Sequence, residues 1–374
     1  MLLALALPWT IAPMSIAAIA CAALTLAWCL RGPRGPWRPT PVDLPALGWL
    51  AALVLSAAFA ADPAASFARL GKGLFPALVP LAAFHATRRR EGGRALALLL
   101  ASSALASLFG LVVFIAHGAS MAARARGPVG HYMTFAGQLL LFVSLATAIA
   151  LLARERRWRI GGLLASLLGA AALAGTFTRS SWLGLFAALA TMLAAARPRW
   201  LPALLAAAVA VTALAPAAYR ARLLSAFDPH HHDNLQRTFM WEAGARMFLD
   251  HPITGVGLQD LHPLYNRYRR PAATERAGHL HNVYVQIAAT MGTVGLAAFV
   301  WLYWALLRSA ARGLRPMLRA RGLAAAVRLG VLAGLVGFLV AGLFEWNFGD
   351  EELLYPLYVL AGIAWAARDW GADA

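Results

Sequence analysis

Two histidines, His279 and His281 in the run GHLHNVYVQ, stand where a long polar interval gives way to an apolar stretch. A side chain there lies half hydrated at the level of lipid head groups. An unperturbed pKa of about 6.5 lets a histidine accept a proton from a hydroxyl at neutral pH, and nearby arginines would keep it neutral and ready as a base. A second reading gives His281 only the start of a helix opening near Asn282, and the residues alone leave both open. Cations gather at the same level: Arg69 and Lys72, Arg124 and Arg126, Arg179 in the turn TFTRSSW, and Arg220, Arg222 and Arg237. Together they would form a basic bowl fit for a phosphate or pyrophosphate. Each alone could equally snorkel to head groups or pair with a nearby acid. Arg179 is the most telling member, because a charge in so short a turn between apolar helices is costly without a partner.

The acids sit mainly in FEWNFGDEE. Asp350, Glu351 and Glu352 precede a helix and suit its positive end, whereas Glu345 lies within an apolar run and is the better partner for a bowl arginine. The run His230, His231, His232 resembles a metal tract, but consecutive side chains diverge and no further ligands flank it, so no metal site is expected. Nor does any other set of His, Asp or Glu at ligand spacing lie near the bowl. Phosphate-binding glycine loops, serine triads and nucleotide fingerprints are absent, and no cofactor is expected.

These residues must be positioned by a membrane scaffold. Of 374 residues, 61% are hydrophobic and 13% charged, too few polar side chains to cover a soluble globule. Apolar stretches run at roughly 2–30, 42–61, 70–86, 95–117, 131–153, 159–177, 180–196, 199–218, 281–307, 323–345 and 352–367. The first is long and interrupted by Pro8 and Pro13, so it reads as two passes. The expected fold is therefore all-α and polytopic, with about twelve transmembrane helices, eleven being possible. The start lacks a basic n-region and its apolar run exceeds that of a signal peptide, so no cleaved signal is expected. Cys21 and Cys29 read as buried small hydrophobes.

Sorting the charges by connection accounts for the net +17. Twenty of the 33 basic residues, with only five of the 16 acids, fall in alternate connections that include Arg34, Arg88, Arg154, Arg197, Arg308 and Arg368, with Asp373 among the acids. By the positive-inside rule these are cytoplasmic, and nucleic-acid binding is not needed to explain the charge. The division is 1–218, N-terminal helices; 219–280, an extracytoplasmic loop with short helices; and 281–374, C-terminal helices. Within the loop, 234–249 reads as a helix with Phe239, Ala243 and Met247 on one face and Asp233 or Asn234 as its cap. The remainder, with Gly255, Gly257, Tyr265 and Tyr268, reads as a loop folding back over the membrane face.

Four segments in this order resemble the O-antigen ligase family of bacterial envelope enzymes: Arg126 to His131 (RGPVGH), Thr178 to Gly184 (TRSSWLG), Arg237 to Trp241 running on to His251–Gly257 (HPITGVG), and His281-Asn282 followed by Gly292 and Gly295. The family includes O-antigen polymerases and O-linked oligosaccharyltransferases. The resemblance implies a metal-independent, inverting glycosyltransferase of the bacterial inner membrane with its site facing the periplasm. It would join O-antigen from an undecaprenyl pyrophosphate-linked donor to a lipid A-core acceptor. It implies His281 as the essential histidine and Arg179 and Arg237 as arginines engaging the pyrophosphate, with Arg69, Lys72, Arg124, Arg126, His279, Asn282 and Glu345 as further binding candidates. Many relatives carry a glutamate where this chain has Thr290, which argues against a polymerase or protein-glycosylating role. A transporter of lipid-linked sugar is the reading from another class. It would place ionisable groups at mid-membrane in two related halves, whereas here the charges sit at one level and no repeat is found.

Overall fold

The computed structural model describes residues 1–31 and 38–370; Arg34 and Asp373, used in sorting the charges, lie outside them. The chain opens with α1 (Leu2–Ala6) and α2 (Ile11–Arg31). Pro8 lies in the gap between them and Pro13 in the first turn of α2, where no intrahelical N–H is missed. The first stretch is thus one helix of spanning length behind a short one, not two passes. Peripheral placement of α2 leaves Ile16, Ile19 and Leu24 exposed. Contrary to expectation, Cys29 is exposed there too, and Cys21 is only half-buried.

There follow α3 (Asp43–Ala58), α4 (Pro63–Phe67), a 3-10 stretch (Leu70–Ala77), α5 (Leu78–His85), α6 (Arg89–Ala116), α7 (Tyr132–Leu152), α8 (Arg156–Gly175), α9 (Arg179–Ala196) and α10 (Leu201–Leu214). The polar interval holds α11 (Ala217–Leu224), α12 (His232–Asp250) and α13 (Leu261–Tyr268); the last four are α14 (Val283–Ala311), α15 (Leu314–Ala320), α16 (Leu323–Ala341) and α17 (Glu351–Ala366). No strand occurs among the described residues. Among the described residues, eight helical stretches are long and apolar enough to cross a membrane, and two shorter apolar ones are Asp43–Ala58 and Pro198–Leu214.

The interior is built on α7, α16 and α17, which are apolar all round and buried nearly all round. Small residues let helices touch there: a Cβ on Gly337 would meet the Gly184 carbonyl oxygen at 2.4 Å, so α9 and α16 pack backbone to backbone. At the rim, α10 buries no side chain and exposes Leu205, Val209 and Leu214. Charge separates cleanly between the two ends. Arg38 pairs with Asp369 and Arg89 with Glu155, while Arg179 and Arg222 pair with Asp233 and Arg237 with Glu345. Among the described residues no ion pair joins one charge set to the other.

The polar interval folds onto the membrane helices rather than hanging free. The face predicted for 234–249 is buried, Phe239, Ala243 and Met247 packing with Val256, Leu261, Tyr265 and Leu280. Two details differ from expectation. The helix begins at His232, so Asp233 and Asn234 lie inside its first turn and turn their side chains to arginines instead of capping. The segment 261–268, read as loop, is helical, with Asp260 Oδ1 accepting from the His262 N–H.

The loop 252–257 is stitched into a break in α14. Gly292 has φ +63° and ψ −158°, outside helical space, and a Cβ there would lie 2.3 Å from the Ile253 carbonyl oxygen. Backbone groups freed by the break find partners in the loop: Thr293 N–H donates to Pro252 O at 2.8 Å and Val294 N–H to Ile253 O at 3.2 Å, while Val256 and Gly257 N–H donate to Ala289 O and Thr290 O at 2.9 and 3.0 Å. Such closure is what an interrupted helix requires where water is scarce. Gly255 tolerates no side chain, because its φ is +71° and a Cβ would fall 2.2 Å from the Thr290 carbonyl carbon. Gly255→Ala is expected to cost about 2–4 kcal/mol, read as a lowered melting temperature in detergent; an unchanged melt would contradict this packing.

Candidate functional site

His281 is set by its backbone before its side chain makes any contact. Its φ of +46° is left-handed, a conformation that costs an L residue roughly 1–2 kcal/mol. The cost is borne because both flanks are fixed. Leu280 N–H donates to Gln286 Oε1, and Asn282 Oδ1 caps α14 by accepting from the Tyr284 and Val285 N–H. Asn282 Nδ2 also donates to Leu343 O at 2.8 Å, and Val283 N–H to Gly342 O, so the mouth of α14 is tied to the turn after α16. That turn carries Glu345.

Glu345 is buried and gathers the site. Its Oε1 accepts from His281 Nδ1 at 3.0 Å and from the Trp346 N–H at 3.0 Å. His279 Nε2 lies 3.6 Å from the same oxygen, and the two imidazoles lie with centroids 4.2 Å apart. Oε2 makes no hydrogen bond but stands 3.8 Å from Arg237 Nη2. Burial works against ionisation, yet the two histidines and Arg237 outweigh it and hold the carboxyl well below the usual carboxylate range. An ionised Glu345 fixes the His281 proton on Nδ1 and leaves Nε2 as the basic nitrogen.

The sign of the pH effect follows. A carboxyl whose folded pKa is depressed adds stability that is present above its unfolded pKa of about 4.3 and lost as pH falls through the folded value. Glu345→Gln should therefore lower stability by about 2 kcal/mol at neutral pH, and the gap to the unaltered chain should narrow below about pH 4. Melting curves of both chains across pH check this; a constant gap would place the Glu345 charge outside the network.

Arg179 follows Phe177, a second non-glycine residue in the left-handed region, at φ +52°. Its guanidinium is buried and engaged, Nη1 donating to Ser225 Oγ and Nη2 to Asn234 Oδ1, both at 2.9 Å, with Asp233 at 3.6 Å. Arg222 Nη1 donates to Asp233 at 2.9 Å and its Nε to Phe177 O at 3.3 Å. Burial opposes the Asp233 charge, but the Arg222 hydrogen bond and the surrounding cations keep its pKa lowered. Burial, with the charges of Arg222, Arg237 and Arg124, lowers the Arg179 pKa to about 10 against the opposing charge of Asp233. Arg237 alone among these central arginines donates no hydrogen bond within the described residues, which leaves its fork open to a ligand.

The remaining candidates stand further out. Arg124 lies 4.4 Å over the Tyr132 ring and Arg126 is exposed. Arg69 Nη1 donates to Leu258 O at 3.2 Å, and Lys72 to Gly349 O. Asp350 stands at the start of α17 but does not cap it; its Oδ2 accepts from Thr134 Oγ1 at 2.7 Å. His279, His281 and Glu345 present ligand atoms within 4.8 Å of one another, which overturns the expectation that no such set exists near the bowl. Local spacing could not reveal it, since Glu345 comes from beyond three further helices. Asp233, Ser225 and Asn234, which hold the arginines, were also missed as site residues. The one signal for Asp233 and Asn234 was their place at the start of an amphipathic helix; Ser225, at the end of α11, carried none.

Residues 164–300 match the protein-family model described as O-Antigen ligase. The match takes in Arg179, Arg237, His279, His281 and Asn282 and stops short of Glu345; the RGPVGH segment lies before it. None of the curated proteins matches the chain.

Proposed function

Because residues 164–300 assign the chain to the O-antigen ligase family, we propose that it transfers O-antigen polysaccharide from undecaprenyl pyrophosphate to a hydroxyl of the lipid A-core. The protein is a multi-pass membrane glycosyltransferase of the bacterial inner membrane in this reading, with residues 219–280 and the site in the periplasm and the C-terminus in the cytoplasm. The positive-inside distribution supports that orientation. The three parts 1–218, 219–280 and 281–374 then divide the work into lipid-embedded scaffold, outer cover and base-bearing helix.

The observation that carries the reading is the Glu345–His281 pair beside an arginine with a free fork. Glu345 orients His281, and Nε2 takes the proton of the acceptor hydroxyl. The hydroxyl oxygen forms its bond to the anomeric carbon from the face opposite the leaving group, the carbon–oxygen bond to pyrophosphate breaks, and its electron pair leaves with the pyrophosphate, inverting the configuration. Arg237 meets the developing charge directly. Arg179, held by Ser225, Asn234 and Asp233, supplies field from a fixed position, and Arg124, Arg126, Arg69 and Lys72 extend the basic surface along which the donor is drawn. Neutralisation by arginine lets the pyrophosphate leave without a metal, and the Arg237 charge beside Glu345 disfavours a dication there.

Thr290 favours the ligase over a polymerase or a protein O-oligosaccharyltransferase, which would use the same donor. Its carbonyl is occupied by Ser56 Oγ and the Gly257 N–H, and its hydroxyl by Gln286 O, so this position serves the α14 break. The test is reconstitution with lipid-linked glycan and lipid A-core in EDTA, scored by product mass. The ligated product is expected in full yield. Glycan moved across the bilayer without transfer would mean a transporter. Loss in EDTA with rescue by one divalent ion would turn His279, His281 and Glu345 into metal ligands.

A further inference from the structure

At the end of the molecule opposite His281, a groove of about 350 Å³ opens between the start of α3, the last turns of α14 and the end of α17. From α14 it takes Trp301, Trp304, Arg308 and Arg312, from α3 Leu44, and from α17 Trp365. No acid lines it. We propose that this groove is a binding site for one anionic phospholipid, its phosphodiester between Arg308 and Arg312 and its acyl chain along Trp301 and Trp304.

Helical spacing puts the two arginines one turn apart, about 6 Å along the axis, on the same face as the tryptophans. Basic residues in the last turn of a helix often do no more than satisfy its terminal carbonyls. Here that role is already filled: buried Arg328 reaches across from α16 and donates to Ser309 O at 3.1 Å and to Arg312 O. Among the described residues, neither Arg308 nor Arg312 has an acid partner or a side-chain hydrogen bond. Two unspent guanidinium forks with a third cation behind them favour a planar or tetrahedral oxyanion over a zwitterionic head group.

The apolar wall is equally specific. Trp301 is seated against Gly48, where a Cβ would fall 2.6 Å from the indole ring, while Trp304 is 62% exposed. Indole rings at the bilayer interface, with one apolar face and one wet edge, suit the junction of acyl chain and head group.

Native mass spectrometry of the detergent-purified protein titrated with phosphatidylglycerol or phosphatidylcholine tests the site. One phosphatidylglycerol is expected to be retained at least about tenfold better than phosphatidylcholine, and Arg308→Gln/Arg312→Gln should abolish the difference. Inorganic phosphate in excess should not displace the lipid, because it lacks the chain that the indoles hold. Trp304→Ser, at an exposed position the fold does not need, should weaken retention as well and gives an independent reading if the double variant fails to fold. Equal retention of both lipids, or equal loss in the control Arg315→Gln/Arg319→Gln outside the groove, overturns the proposal.

Discussion

His281→Ala is expected to slow the chemical step by roughly 10²–10⁴-fold and to leave donor binding close to that of the unaltered chain. The split follows from the geometry. The imidazole is held on its Nδ1 side by Glu345 and offers only Nε2 to a reactant, so what it contributes is a proton acceptor in one orientation. Glu345→Ala should reproduce part of this loss, because an imidazole without its carboxylate can take the wrong tautomer, and it should also destabilise the turn, whose Trp346 N–H donates to Glu345 Oε1. Single-turnover rates and lipid-donor affinity measured on the same preparations separate base from binder. If His281→Ala weakens donor affinity as much as it weakens turnover, His281 is a binding residue and the base lies elsewhere.

Arg237→Ala should weaken donor affinity by roughly 10–100-fold and turnover further, since a clamp acts on the bound pyrophosphate and more strongly as the leaving charge grows. Lysine should rescue only part of this, keeping the charge without the bidentate fork. Arg179→Ala is expected to behave differently, because its guanidinium is already committed to Ser225 and Asn234. Its removal takes the donor from Ser225 Oγ and Asn234 Oδ1 and leaves Asp233 to Arg222 alone, so a fall in thermal stability should accompany any loss of affinity. Affinity, turnover and melting temperature for the two variants side by side decide the assignment. Equal stability loss at both positions, with no difference in affinity, would remove the distinction between clamp and brace.

Much of the site could be read from residue type and local spacing. His281 at the mouth of a helix, Arg179 in a tight turn and Glu345 as the acid fit to pair with an arginine all lie where those arguments led. Pairings across long stretches of chain could not be read. The periodicity of 234–249 showed which face of α12 is buried, but not that Asp233 and Asn234 would turn to arginines instead of capping their own helix. The break at Gly292 was hidden because the surrounding sequence is uniformly apolar, and only the approach of Ile253 reveals why a helical conformation is excluded there. The helix 261–268 was masked by its two tyrosines, its proline and its short length, which fit a loop as well in a single sequence. The first apolar stretch falls into a five-residue helix and one of spanning length, because Pro8 breaks it near its start while Pro13, in a first turn, does not.

Synthesis delivers residues 252–257 before residues 289–294, so in the proposed orientation α14 enters the bilayer with its break unclosed and the partners for that break already across. The carbonyls of Ala289 and Thr290 and the N–H groups of Thr293 and Val294 stay open until the earlier segment folds back against them. Open backbone groups at such a depth are costly, so docking of the outer segment is a condition for the helix to settle, not a later refinement. Assembly in that orientation is ordered from outside inward, with a loop segment made earlier acting as the template on which a later membrane helix is completed. A nick in the chain between the two would sever order without removing a contact, and would be felt in biogenesis more than in the finished molecule.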